Sequence, residues 1–123
     1  MTGIVSRSFD SADETRPFEG KGRLDVINAA GGLQVGRAVF EPGWRWSENV
    51  KPIAGTDSCQ AHHVGYIVSG RMKIVMNDGE TGEAGPGDFI DVQPGHDAWV
   101  LGDEPCVALD WAGFADYAIR SGS

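Results

Sequence analysis

Two cysteines and three histidines are the whole stock of thiol and imidazole groups in this sequence: Cys59, Cys106, His62, His63 and His96. Thiolate and neutral imidazole are the donors that Zn²⁺ prefers and that Fe²⁺ and Ni²⁺ accept, so these residues are where metal chemistry would sit. Cys106 lies inside an apolar run and reads as core. His62 has the opposite strand parity to His63 and reads as outward-facing. Other chemistry lacks a signature: there is no Gly-x-Ser-x-Gly, no phosphate-binding loop, no Gly-x-Gly-x-x-Gly and no Cys-x-x-Cys.

The elements that must position these groups are short strands. The chain of 123 residues is the size of one domain. Its 18 glycines are roughly double ordinary usage and imply many turns. Turn signals recur at Gly31-Gly32, Glu41-Pro42-Gly43, Ser69-Gly70, Asn77-Asp78-Gly79, Gly85-Pro86-Gly87, Gln93-Pro94-Gly95 and Gly102-Asp103. That rhythm is the one of an all-β sandwich or barrel. Strands are expected over residues 33–41, 65–69, 71–76, 80–84, 88–92, 97–101 and 106–111, with Asp78-Gly79 closing a hairpin. Residues 33–41 alternate, with Leu33, Val35 and Val39 on one parity. Residues 112–120 read as a weak helix or a last strand. Residues 1–23 read as an arm with at most one short strand, and residues 24–123 as a single barrel.

The net charge of −8 argues against nucleic acid and anionic membrane surfaces as partners. No apolar run reaches the length of a membrane helix, and residues 1–9 lack a signal-peptide apolar block. With two cysteines and no disulfide framework, a reduced, cytoplasmic setting is expected.

The run Gly85-Pro86-Gly87-Asp88-Phe89-Ile90-Asp91-Val92-Gln93-Pro94-Gly95-His96 resembles the second conserved motif of the cupin superfamily, and Tyr66-Ile67-Val68-Ser69-Gly70-Arg71-Met72 resembles the end of the first. The stretch from Pro94 to Trp99, followed by Gly102-Asp103-Glu104-Pro105, is similar to a branch of small single-domain bacterial cupins. The resemblance covers about residues 33–111. It implies a double-stranded β-helix, a jelly-roll-like barrel with a pocket at one mouth. It also implies reactions of the kind run on that fold: dioxygenation, isomerisation, epimerisation, decarboxylation or lyase chemistry. In most metal-binding cupins two His and a Glu from the first motif and a His from the second hold the ion. Carried over position by position, these fall on Asp57, Cys59, His63 and Ala98, so the metal-ligand motif is degenerate. Three of the four positions still hold residues able to bind metal, and His96 lies two residues before Ala98.

Cys59, His63 and His96 then form the sharpest constellation, one thiolate and two imidazoles with an open fourth position. On one straight strand Cys59 and His63 would lie about 13 Å apart, at about 3.3 Å per residue, so sharing an ion requires a turn within residues 60–62. Otherwise Cys59 is a small buried hydrophobe, His63 a hydrogen-bonded barrel residue and His96 an exposed loop histidine. Asp57 reads more readily as a turn residue than as a ligand. Trp44 and Trp46 share a parity and would wall a pocket or pack the core or a dimer interface. Arg37, Arg45 and Lys51 would meet an acidic ligand or sit in solvent. The functional expectations are a metal-dependent enzyme acting on a small molecule, using Zn, Fe or Ni, or a metal-free small-molecule binding or sensor module. A homodimer is expected: the cupin resemblance implies pairing of barrels through edge strands and an N-terminal arm, and residues 1–23 read as such an arm.

Overall fold

The computed structural model describes residues 3–112. Nine strands and two single helical turns follow one another: β1 Glu14–Pro17, β2 Gly22–Asn28, β3 Gln34–Phe40, α1 Trp46–Asn49, α2 Lys51–Ala54, β4 His63–Ser69, β5 Arg71–Met76, β6 Thr81–Ala84, β7 Phe89–Val92, β8 His96–Leu101 and β9 Cys106–Ala112. They form two antiparallel sheets. The larger runs β1-β2-β3-β9-β4-β7 and the smaller runs β6-β5-β8. This is the all-β, jelly-roll-like barrel expected of the sequence, and seven of its strands fall on the seven predicted segments. The reading of residues 112–120 as helix or last strand lies outside the described residues beyond Ala112.

β2 is a strand the turn rhythm missed. It joins β1 to β3 in continuous register, from Gly22↔Phe40 to Asn28↔Gln34. β1 lies within residues 1–23 and is an edge strand of the larger sheet among the described residues. A 3₁₀ turn at Phe9–Ser11 precedes it, and Arg37 ties that turn to β2 by bonding both Asp10 (3.0 Å) and the buried Asp25 (2.8 Å).

Along β3 the inward residues are Gly36, Ala38 and Phe40, so the apolar parity Leu33, Val35 and Val39 faces outward. The interior is too crowded for branched residues there: a Cβ on Gly36 would lie 2.9 Å from Leu24 Cδ1. The core instead draws its bulk from Leu24, Val26, Phe40, Trp44, Trp46 and Ile67. Phe18 and Phe40 stack with centroids 5.6 Å apart, and Phe40 meets Trp44 at 4.3 Å.

The two helical turns also differ from the sequence reading, which placed Trp44 and Trp46 on a common strand parity. Pro52 sits at the start of α2, where its fixed φ suits a first helical turn. Gly55 ends α2 at φ 76, a left-handed cap that glycine adopts without strain. Asp97 Oδ1 accepts from Ser47 N (3.1 Å) and so pins α1 against β8. The segments before and after these turns cover the free edge of β8, through bridges Arg45↔Trp99 and Cys59↔His96.

Candidate metal centre and its cavity

Cys59 is delivered to the site by main-chain bonding to the start of β8. Its N donates to His96 O (2.8 Å), and its O accepts from Gly95 N (2.7 Å) and His96 N (3.3 Å). The Pro94-Gly95 turn makes this approach by putting Gly95 at φ 93. Residues 60–62 then leave strand geometry and carry the chain across to the larger sheet, where His63 opens β4 opposite Val92. The turn that the spacing required is present: Cys59 Sγ lies 3.5 Å from His63 Nε2.

His96 is not an exposed loop residue. It is the first residue of β8, is 4% exposed, and begins an inward face that continues through Ala98 and Val100. Its ring centroid lies 5.3 Å from that of His63. One ligand atom each from Cys59, His63 and His96 all fall within 4.8 Å of one another. Ala98, the position to which the cupin resemblance assigns a histidine, lines the cavity one pleat further along the same face. Asp57 is exposed and stands apart from this group. His62 points outward and bonds Asp91 Oδ1 at 2.6 Å.

Each of the two site imidazoles is held from behind. His63 Nδ1 donates to Asp110 Oδ2 (2.7 Å), and His96 Nδ1 donates to the carbonyl of Gln93 (2.7 Å). Both rings therefore keep Nε2 for the cluster. Asp110 is the functional candidate that sequence reasoning missed. It continues the inward parity of Cys106 and Ala108 on β9, and a carboxylate on that otherwise small and apolar face was the available signal.

The electrostatics pair an acidic thiol with a basic imidazole. Burial opposes the Cys59 thiolate, but hydrogen bonds and charge from His63 and His96 outweigh it and lower the thiol to about 6. Burial likewise opposes charge on His63, yet Asp110 and Cys59 raise it to about 9. Cys106 has no such neighbours, and burial pushes it up to about 11.

The cluster opens on a barrel cavity of about 60 Å³, larger than the roughly 10–15 Å³ a single water needs. Its walls include Phe40, Trp44, Trp46, Ile67 and Met72, with His63, His96 and Asp110 among the lining groups. Trp44 and Trp46 thus belong both to the core and to the cavity wall, each 2% exposed. Arg37 and Arg45 do not reach the cavity: Arg37 is held by its carboxylates, and Arg45 lies over Trp99 with 4.3 Å to the ring centroid. Lys51 is not among the lining residues either.

A barrel of this topology, with a cavity between two antiparallel sheets, is the cupin fold. Comparison with solved structures agrees. The polyketide cyclase RemF from Streptomyces resistomycificus superposes with a TM-score of 0.59 at 16% identity, over 87% of this chain and 77% of the other. KdgF from Halomonas sp. matches at 0.57 and 20% identity, over 84% and 90%. A protein of unknown function from Acidithiobacillus ferrooxidans matches at 0.58 and 17%, over 80% and 85%. No protein-family model and no curated protein matches the sequence.

Proposed function

We propose that this protein is a small metal-dependent cupin enzyme that acts on a small molecule in the barrel cavity, with Cys59, His63 and His96 as metal ligands. The observation that carries this reading is the pair of Nδ1 hydrogen bonds, to Asp110 and to the Gln93 carbonyl. They leave the Nε2 atom of each ring to the cluster with Cys59, whose ligand atoms lie within 4.8 Å of one another, the arrangement that outer partners impose on ligating histidines. One thiolate with two imidazoles suits Zn²⁺ best, with Fe²⁺ or Ni²⁺ as alternatives. When bound, such an ion supplies Lewis acidity toward a substrate oxygen. The protein's own residues do the rest. Asp110 fixes the His63 ring, Trp44 and Trp46 wall the substrate, and the apolar lining excludes water from it.

A second reading, a metal-free binding or sensor module, is favoured by the Cys59–His63 pair itself. A proton shared between acidic thiol and basic imidazole satisfies both groups without an ion. The test is elemental analysis of untagged protein expressed with added zinc or iron. About one ion per chain, lost in Cys59→Ser and His63→Ala, supports the enzyme reading. Well under one ion per chain leaves the metal-free module.

The setting proposed is a bacterial cytoplasm, which suits two free cysteines. We further propose a homodimer. Tyr66, Val68, Phe89 and Trp111 are exposed on β4, β7 and β9, neighbouring strands of the larger sheet, and among the described residues β1 is an edge strand.

A further inference from the structure

The cavity has a polar end and an apolar end, and strands from both sheets set them in the same order. On β4, His63 opens the strand and Ile67 lies four residues further in. On β9, Asp110 is level with Gly65 and Ala108 with Ile67, so polar again precedes apolar. On β8, His96 is followed inward by Ala98, and the β5 partners of Ala98 and Val100 are Ile74 and Met72. His63, His96 and Asp110 are the ionisable groups among the described lining residues, and all three stand at one end. Ile67 and Met72 mark the other, about 13 Å further along the strands at about 3.3 Å per residue. Phe40 joins them there, one pleat past the Ala38↔Ala108 pair.

A ligand lying along this axis meets the imidazoles and the carboxylate with one end alone. A second polar group at its far end would be buried against hydrocarbon, away from them. The cavity of about 60 Å³ also limits size. At roughly 10–15 Å³ for each water-sized group, it has room for about four to six. We propose that the cavity takes its substrate end-on: a short-chain compound with a single oxygen-bearing head beside Cys59, His63 and His96, and a hydrocarbon tail running toward Ile67 and Met72. The inference rests on the cavity being the substrate site of the proposed enzyme, and it deepens that reading by naming the substrate class and its orientation.

The test titrates two homologous series, the straight-chain carboxylates from acetate to octanoate and the primary alcohols of matching length, into zinc-supplemented and chelator-treated protein. In at least one series affinity should rise roughly three- to fourfold per methylene up to about four carbons, the gain from burying each group, and should fall again by octanoate or octanol. Succinate and 1,4-butanediol carry a second polar end and should bind at least roughly tenfold more weakly than butyrate and 1-butanol. NMR reads the orientation. The terminal methyl of the bound probe should contact the Ile67 and Met72 methyl groups, and the carbon next to its head should contact the His96 ring. Ala108→Val narrows the apolar half and should move the optimum to a shorter chain; should that variant not fold, the wild-type NMR contacts still decide. A flat length profile in both series overturns the proposal, as do equal binding of the two-headed probes and a reversed orientation. Failure of the metal reading is separable. A protein without stoichiometric metal that keeps the profile and orientation loses only its ion, and a protein with one ion per chain that shows neither loses only this substrate class.

Discussion

His63 and Asp110 meet across β4 and β9, with Nδ1 2.7 Å from Oδ2. Gly36 and Gly65 are the register partners of Asp110 on the strands to either side. His63 is thereby oriented by a residue far away in sequence but adjacent in the sheet.

Asp110→Asn should therefore weaken metal binding by about 10- to 100-fold, the usual loss when a partner behind a ligating histidine is removed. Competition against a chromophoric zinc chelator measures it. An affinity equal to wild type would mean that His63 is not held by Asp110 in a ligating role.

The two thiols should titrate far apart in metal-free protein. The absorbance rise that marks thiolate should show a first midpoint near 6 for Cys59 and a second near 11 for Cys106. The Cys59→Ser variant should lose the first step alone. A single step near the ordinary thiol value, about 8.5, would contradict the thiolate–imidazolium pairing.

The pair also shapes stability against pH. His63 is raised in the folded state, so its contribution is complete below its unfolded value near 6.5 and is lost as pH rises through about 9. Cys59 is lowered, so its contribution is complete above its unfolded value near 9 and is lost as pH falls through about 6. Between about 6.5 and 9 the two slopes oppose and cancel. In Cys59→Ala the His63 slope stands alone, held up by Asp110. Urea midpoints of the metal-free variant should then fall from pH 6.5 to pH 9 relative to wild type, and a parallel pH dependence for the two proteins would refute the cancellation.

Gly65→Ala tests the close approach of β4 to β9. A Cβ there would sit 2.1 Å from the carbonyl oxygen of Leu109, which cannot yield without moving the strand. A loss of at least about 1–3 kcal/mol is expected on denaturation, with weaker metal binding because His63 and Asp110 flank the disturbed pair. Unchanged stability would show that the strands separate more easily than their register implies.

Legibility differed between fold and site for physical reasons. Turns announce themselves through local chemistry, so Asp78-Gly79 and Pro94-Gly95 marked strand ends correctly. β2 has no such marker: Arg23, Asp25 and Asn28 gave it a polar look, because Asp25 is buried only by virtue of the partners Thr15, Arg23 and Arg37. Parity on β3 misled for a related reason, since two of the three inward residues there are the small Gly36 and Ala38. In the site, donor types singled out Cys59, His63 and His96, but Asp110 lies 47 residues from His63 and becomes visible only once strand pairing is known.

The Cys59↔His96 bridge joins Cys59 to the smaller sheet, while His63 opens a strand of the larger one. Anything gripped by all three side chains would act as a clasp across the seam of the barrel. Prying the halves apart would mean releasing it first, so occupancy at this one point would set how long the whole shell stays shut.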